Sequence, residues 1–233
     1  MTKGARRDEP LILAFDTSMA HCAGAIFHDA PRGQMTEEMS RGQAERLMPM
    51  LETLLASEGV SWQDLDLIAV GIGPGNFTGI RIAVSAARGL GLGLGIPVMG
   101  VSMFECLLDP TGPWAGPSQI VSLAAPRGQV YLQHFRYGVA TEKPRQLDLA
   151  ALPEDLQFPV NTHVIGYAAE AIAAAGHASD WTEAAPENVA MRIARRADAR
   201  FFGGETDPSR PAPLYVRAAD AAPSRDKPPE IIA

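Results

Sequence analysis

The chain has 233 residues, 46% of them hydrophobic and 20% charged, with a net charge of −7. That composition excludes wholesale disorder, and a chain of this length can bury enough apolar surface to fold without disulfides or metals. Basic residues number 8 against 12 acidic ones over 1–107 and 12 against 15 over 108–233, so neither half has the basic surplus of a stand-alone nucleic-acid binder. Aromatics make up only 6%, which leaves a core of small aliphatic side chains among turns built from 22 Gly and 19 Pro. Cys22 and Cys106 stand far apart and outside any CxxC pair, the pattern of unpaired thiols in a reducing cytoplasm. Behind Arg6-Arg7 the apolar run 11–15 stops at Asp16, too short for a signal segment. No apolar stretch reaches the roughly 18 residues of a membrane span.

In chain order, 11–16 reads as a buried strand and 23–28 as its hairpin partner. Residues 41–58 show helical period, with Ala44, Leu47, Met48, Leu51, Leu54 and Leu55 on one face. Pro49 inside that pattern predicts a kink or a lost backbone bond, and Gly59 a stop. Residues 65–72 form a continuous apolar strand of the kind covered on both faces. A glycine-rich turn, a helix over 78–93, a strand at 97–100 and a short helix at 102–108 follow. The Pro- and Gly-rich text of 109–118 predicts a linker. Beyond it, 119–124 and 129–136 repeat the opening strand, turn and strand. A strand at 163–166 and helices at 167–175 and 187–202 complete the copy. The expected organisation is therefore two lobes, 1–108 and 119–217, with a flexible tail over 218–233.

The loop Gly73-Pro74-Gly75-Asn76-Phe77-Thr78-Gly79 sits between strand and helix, where a phosphate cradle would be. It lacks the Lys-Ser/Thr ending of a P-loop, and a tight turn capped by Asn76 or Thr78 accounts for it equally. Asp16-Thr17-Ser18 ends the first strand, and an Asx turn explains those residues as well as a phosphate contact does. Glycines at 79, 89, 91 and 93 burden the following helix by up to about 1 kcal/mol each. Close approach of another helix would offset that, either within the chain or at a subunit interface. Histidines 21, 28, 134, 163 and 177 form no HxxH or HxxxH pair, so no metal site is expected. Arg192, Arg195, Arg196 and Arg200 lie at helical spacing and read as a solvated helix face.

Four stretches together resemble the TsaB (YeaZ) family: LILAFDTS, QAERLMPMLETLL, AVGIGPGNFTGIRIAVSAARGLGLGLGIPVMGVS and PLYVR. That family supplies the non-catalytic partner in bacterial synthesis of threonylcarbamoyladenosine on tRNA. The resemblance is dense over 11–108, thin over 119–135, and returns at 213–217. It implies a two-lobed α/β actin-like ATPase fold (ASKHA, ribonuclease-H-like), with mixed sheets flanked by helices. It further implies a cytoplasmic scaffold without a cofactor that pairs with the catalytic paralogue TsaD. The ATPase TsaE would join the assembled complex, tRNA would be reached only through it, and the chain alone would form a homodimer. TsaD carries a His-x-x-x-His metal pair, whose positions here hold Met103 and Leu107. Where TsaB proteins often read Asp-Ala-Arg before the second hairpin turn, this chain reads Ala124-Ala125-Pro126-Arg127. The expected interface lies on helices 41–58 and 78–93, at Leu47, Met48, Leu51, Leu54, Leu55, Phe77, Thr78, Arg81, Ala83, Ala86, Ala87 and Leu90. A weak nucleotide contact would fall on Asp16, Thr17, Ser18, Gly73 and Gly75. The competing expectation is an active actin-like enzyme, either a sugar kinase or a metallopeptidase-like hydrolase.

Overall fold

The computed structural model describes residues 9–108, 116–204 and 211–216. Ile12–Asp16 (β1) pairs antiparallel with His21–His28 (β2), which pairs antiparallel with Ala30–Glu38 (β3). Gln43–Ser57 forms a helix (α1) that runs past Pro49 as one element. Leu67–Gly71 (β4) then lies parallel to β1, and after Phe77–Leu94 (α2) the strand Val98–Val101 (β5) lies parallel to β4. The first sheet has the order β3-β2-β1-β4-β5, and the short helix Met103–Leu107 (α3) follows it.

The second half repeats the plan. Ser118–Ala125 (β6) and Gln129–Arg136 (β7) form the antiparallel hairpin, with Val139–Ala140 (β8) and Arg145–Asp148 (β9) both pairing on β7. Thr162–Gly166 (β10) runs parallel to β6, and after Ala169–Ala175 (α4), Asp180–Glu183 (β11) runs parallel to β10. A last helix, Val189–Phe202 (α5), completes the described elements. A hairpin followed by two parallel strands, twice over, is the duplicated two-lobed actin-like plan.

The alternation of side chains along a strand divides the first sheet between two cores. Leu11, Leu13 and Phe15 point to the face covered by α1 and α2, and Ile12 and Ala14 to the opposite face. Both faces being covered explains why β1 and β4 read as unbroken apolar runs. The opposite face is covered by α5, which follows the second lobe's strands yet packs on β1, β2, β4 and β5. The short helix α3, which follows the first sheet, packs in turn on β6 and α5. Ala14, Ala23, Ala25 and Ala69 on the sheet share one cluster with Ala190, Ala194 and Ala197 on the helix, and such small residues let a helix sit close to a sheet. The outer face of the second sheet carries a smaller cluster built around α4.

Three expectations need correction. The strand β3 has no counterpart in the sequence reading, because APRGQMTEE alternates exposed and half-buried residues along a sheet edge and has no apolar signal. The edge strand β11 escapes notice for the same reason. The arginine row is largely anchored: Arg192 Nη1 donates to the Cys106 carbonyl (3.0 Å), Arg196 Nη2 to Gly138 (2.8 Å) and Arg200 Nη1 to Gly100 (2.8 Å). Arg192 and Arg195 are exposed as the solvated face expects, and of the four only Arg195 has no hydrogen bond or ion pair among the described residues. Most of the expected linker, Arg217 and the tail 218–233 lie outside the described residues. Among the described residues no helix is long and apolar enough to cross a membrane.

Candidate functional site

The sequence singles out two regions, the junction at the ends of β1 and β4 and the helix pair α1–α2. At the junction the chain closes on itself. Asp16, Thr17 and Ser18 are all fully buried. Asp16 Oδ2 accepts from the Ser18 amide (2.8 Å) and hydroxyl (3.0 Å) and lies 2.9 Å from His21 Nε2. The Thr17 hydroxyl donates to the Gly79 carbonyl (2.7 Å), and the Asn76 amide donates to the Ser18 carbonyl (2.6 Å). A Cβ on Gly79 would stand 1.9 Å from the Thr17 carbonyl oxygen, and one on Gly75 2.3 Å from that of Ser18, so the loop glycines let the two backbones meet directly. Asn76 caps α2 by accepting from the Thr78 and Gly79 amides (2.9 and 3.0 Å), which occupies helix-end donors that would bind an anion.

The five residues expected at a nucleotide contact are therefore gathered in one place, four of them in an internal joint and Gly75 exposed at its edge. Asp16, Thr17 and Ser18 offer no exposed group, and Gly73 is buried beside Ile80. The capped-turn alternative is the one the structure adopts. Asp16 Oδ1, pressed toward Gly71, has no hydrogen-bond partner among the described residues. Met103 and Leu107, at the positions of the paralogue's ligands, are buried in the core between the lobes. Among the described residues no group of three or more His, Cys, Asp or Glu could hold a metal. Burial pushes the Cys22 thiol up to about 11 and raises that of Cys106 further, so both behave as apolar core groups.

The helix pair divides the twelve expected interface residues. Leu47, Leu51, Leu54, Leu55, Ala83 and Ala87 are buried against the chain's own first sheet and cannot touch a partner. The cause is that β1, β2 and β4 turn a full apolar face toward α1 and α2, which uses the leucine stripe. Met48, Ala86 and Leu90 are half-buried, and Phe77, Thr78 and Arg81 are exposed. Beside the glycine stretch 89–93, which the sequence already offers as room for a close helix, the outward face of α2 carries exposed Ser85 and Arg88 and half-buried Ile82, which the periodicity does not single out. Leu92 is 80% exposed.

The helix glycines have separate explanations. Gly79 lies against Thr17, Gly91 would drive a Cβ to 2.2 Å from Val98 Cγ2, and Gly95 ends the helix in the left-handed region at φ 68°. Gly89 and Gly93 have no described residue within 4 Å of where a Cβ would stand. Their cost of about 1 kcal/mol each is not offset by any packing among the described residues.

At the head of α2 a small aromatic cluster is exposed. Phe77 stacks on Tyr215 with centroids 4.9 Å apart, and Arg81 lies 3.8 Å over the Phe77 ring while its Nε donates to the Tyr215 hydroxyl (2.8 Å). The segment 211–216 is held there by the Leu214 amide donating to the Ile72 carbonyl (2.8 Å). Sequence spacing had no means of pairing residues 134 positions apart, although PLYVR stood out as a motif.

Comparison with known proteins agrees with this architecture. A family model described as TsaD, tRNA N6-adenosine threonylcarbamoyltransferase, matches residues 21–207. The Escherichia coli (strain K12) tRNA threonylcarbamoyladenosine biosynthesis protein TsaB is 34% identical over 54% of this chain and 54% of its own. The chain spans about half the length of the curated TsaB relatives it matches. An uncharacterized protein of Mycobacterium tuberculosis is 31% identical over 91% of this chain and 94% of its own. A crystal structure from Pseudomonas aeruginosa, titled as similar to peptidase YEAZ, superposes with a TM-score of 0.69 and 26% identity, over 89% of this chain and 100% of that one.

Proposed function

We propose, from the premise that this chain belongs to the TsaB (YeaZ) family, that it is a non-catalytic subunit in the synthesis of threonylcarbamoyladenosine on tRNA. It pairs with a TsaD subunit through the outward face of α2 and the adjoining exposed edge of α1. The observation that carries the pairing is the bare surface at Gly89 and Gly93 beside the exposed Leu92. A helix retains such costly residues where another helix approaches its backbone closely. Phe77, Thr78 and Arg81 continue that face toward the head of the helix, and Met48 lies at its α1 side.

The non-catalytic half of the reading rests on the closed β1–β4 junction. An actin-like ATPase needs a carboxylate and hydroxyls free to meet metal and phosphate, and here Thr17 and Ser18 donate inside the chain while Asp16 is sealed among them. Without TsaD the same face joins two copies. In the full assembly TsaE binds the pair and tRNA is met through the complex.

The experiment mixes the purified chain with TsaD from the same source and follows the product by size-exclusion chromatography with light scattering. The wild type is expected to co-elute with TsaD, and Leu92→Arg, which places a charge on an exposed position, to remain folded and elute alone. Wild-type binding by Leu92→Arg, or no complex with the native chain, overturns the reading.

A further inference from the structure

On the side of the first sheet opposite α1 and α2, an open cleft of about 820 Å³ runs between the start of β3, the end of α3 and the first three turns of α5. Four arginines line it: Arg32, Arg192, Arg195 and Arg196. Among the described residues Glu105 is the one carboxylate that lines it. Glu105 is already shared, lying 3.8 Å from Arg196 Nε and 3.2 Å from Arg200 Nη1. In a chain with a net charge of −7, this is a marked local reversal of sign.

The way these guanidinium groups are held matters more than their number. Arg192 donates from Nε to the Glu187 carbonyl (2.9 Å) and from Nη1 to the Cys106 carbonyl (3.0 Å). Arg196 Nη2 donates to the Gly138 carbonyl (2.8 Å), and Arg32 Nη2 to the Glu58 carbonyl (3.2 Å), while Arg32 Nε also lies 3.9 Å from the Glu58 carboxylate. Backbone carbonyls are neutral. They fix the direction of each group without neutralising it; Arg192 has carbonyl partners alone, whereas Arg196 and Arg32 each also stand within 4 Å of one carboxylate, and further N–H donors remain on every fork.

Arg195 is exposed and has no hydrogen bond or ion pair among the described residues. The first turn of α5 adds to the same field. Its N-cap Asn188 lines the cleft without making a side-chain cap bond, which leaves the positive end of a 14-residue helix uncapped by that side chain. Asp198, the remaining acid of α5, lies beside Asp29 and Glu9 and does not line the cleft. A concave site lined by one sign of charge focuses its field on a ligand of the opposite sign.

We infer that this cleft is a phosphate site, taking the phosphate groups of a polyphosphate or of an RNA backbone. Its position on the face away from α2 leaves it accessible while α2 is engaged. It does not involve Asp16, so phosphate binding here is independent of the closed junction.

The test uses the full chain alone at low ionic strength, so it neither needs nor reports pairing with TsaD. Pyrophosphate is titrated by calorimetry and a labelled tRNA transcript by fluorescence anisotropy. At least one probe is expected to bind with an affinity that falls steeply with salt. Arg195→Glu should weaken that binding tenfold or more and reduce the salt slope by about one. Arg195→Gln should fall between it and the wild type, and Arg136→Glu, which alters an exposed arginine of β7, should match the wild type. Pyrophosphate binding lost in Arg195→Glu assigns the site to small polyphosphates, and binding of tRNA alone assigns it to an RNA backbone. Binding of neither probe overturns the inference. So does wild-type affinity in a folded Arg195→Glu, or equal weakening by Arg136→Glu, which would report only diffuse charge.

Discussion

The inner and outer faces of α2 are built from the same kinds of residue for opposite ends. Inward, Gly79 and Gly91 are small because the Thr17 backbone and the Val98 side chain press against them, and Ala83 and Ala87 are buried in the first lobe's core. Outward, Ser85 is exposed, and a Cβ on Gly89 or Gly93 would meet no described residue within 4 Å. A glycine in a helix is thus explained only by what a Cβ would meet. Where it would meet no described residue, the proposed function assigns the space to a second molecule.

Substitutions at matched positions sharpen that contrast. The largest effect is expected from Ala87→Glu, which buries an unpaired charge in the first lobe's core at a cost of several kcal/mol. Circular dichroism should show an unfolded or grossly destabilised chain. A folded variant would place Ala87 on the surface and break the division of the helix. Next, Gly91→Ala forces a Cβ into Val98 and should cost about 1–3 kcal/mol, read as a lower urea midpoint with unchanged slope.

The smallest effect concerns polar groups enclosed within the second lobe. Burial lowers the His134 and His163 pKa values from the ordinary 6.5, so the native chain holds these rings neutral where the unfolded chain protonates them. Their contribution is present above 6.5 and is lost as pH falls from 6.5 through the lowered native values. Asp198, raised above its ordinary 3.8 by burial and by Asp29 and Glu9, acts in the opposite sense at lower pH. Urea midpoints at pH 7.5 and 5.5 should therefore decline modestly, and His163→Asn should flatten the decline. An unchanged midpoint would mean that neither ring is desolvated.

Much of this architecture was legible in the sequence because burial on both faces leaves a plain mark. The runs 11–16 and 65–72 announced β1 and β4, and the repeated hairpins announced the duplication. The edge strands β3 and β11 were silent, since a strand with one open face and polar text has no apolar run to show. The helix stripe Leu47, Leu51, Leu54 and Leu55 was read as reaching a partner because period alone does not say how much apolar surface the sheet beneath presents. The arginines of α5 read as solvated because nothing local reveals that this helix crosses to the first lobe, meeting the carbonyls of Cys106 and Gly100 there and that of Gly138 in its own lobe. Asp16-Thr17-Ser18 and the glycine loop were located correctly in relation to each other. Only the structure showed that their donors are used internally.

The central claim is that the outer face of α2 is kept small for a partner, and Gly89→Leu tests it most directly. The new side chain has open space, and replacing a helical glycine with leucine removes a propensity cost of about 1 kcal/mol. Thermal melting and TsaD binding are measured on the same sample. The expected result is a melting temperature equal to or a few degrees above that of the wild type, together with loss of the complex. A variant that binds TsaD as the wild type does, or that melts several degrees lower, contradicts the account.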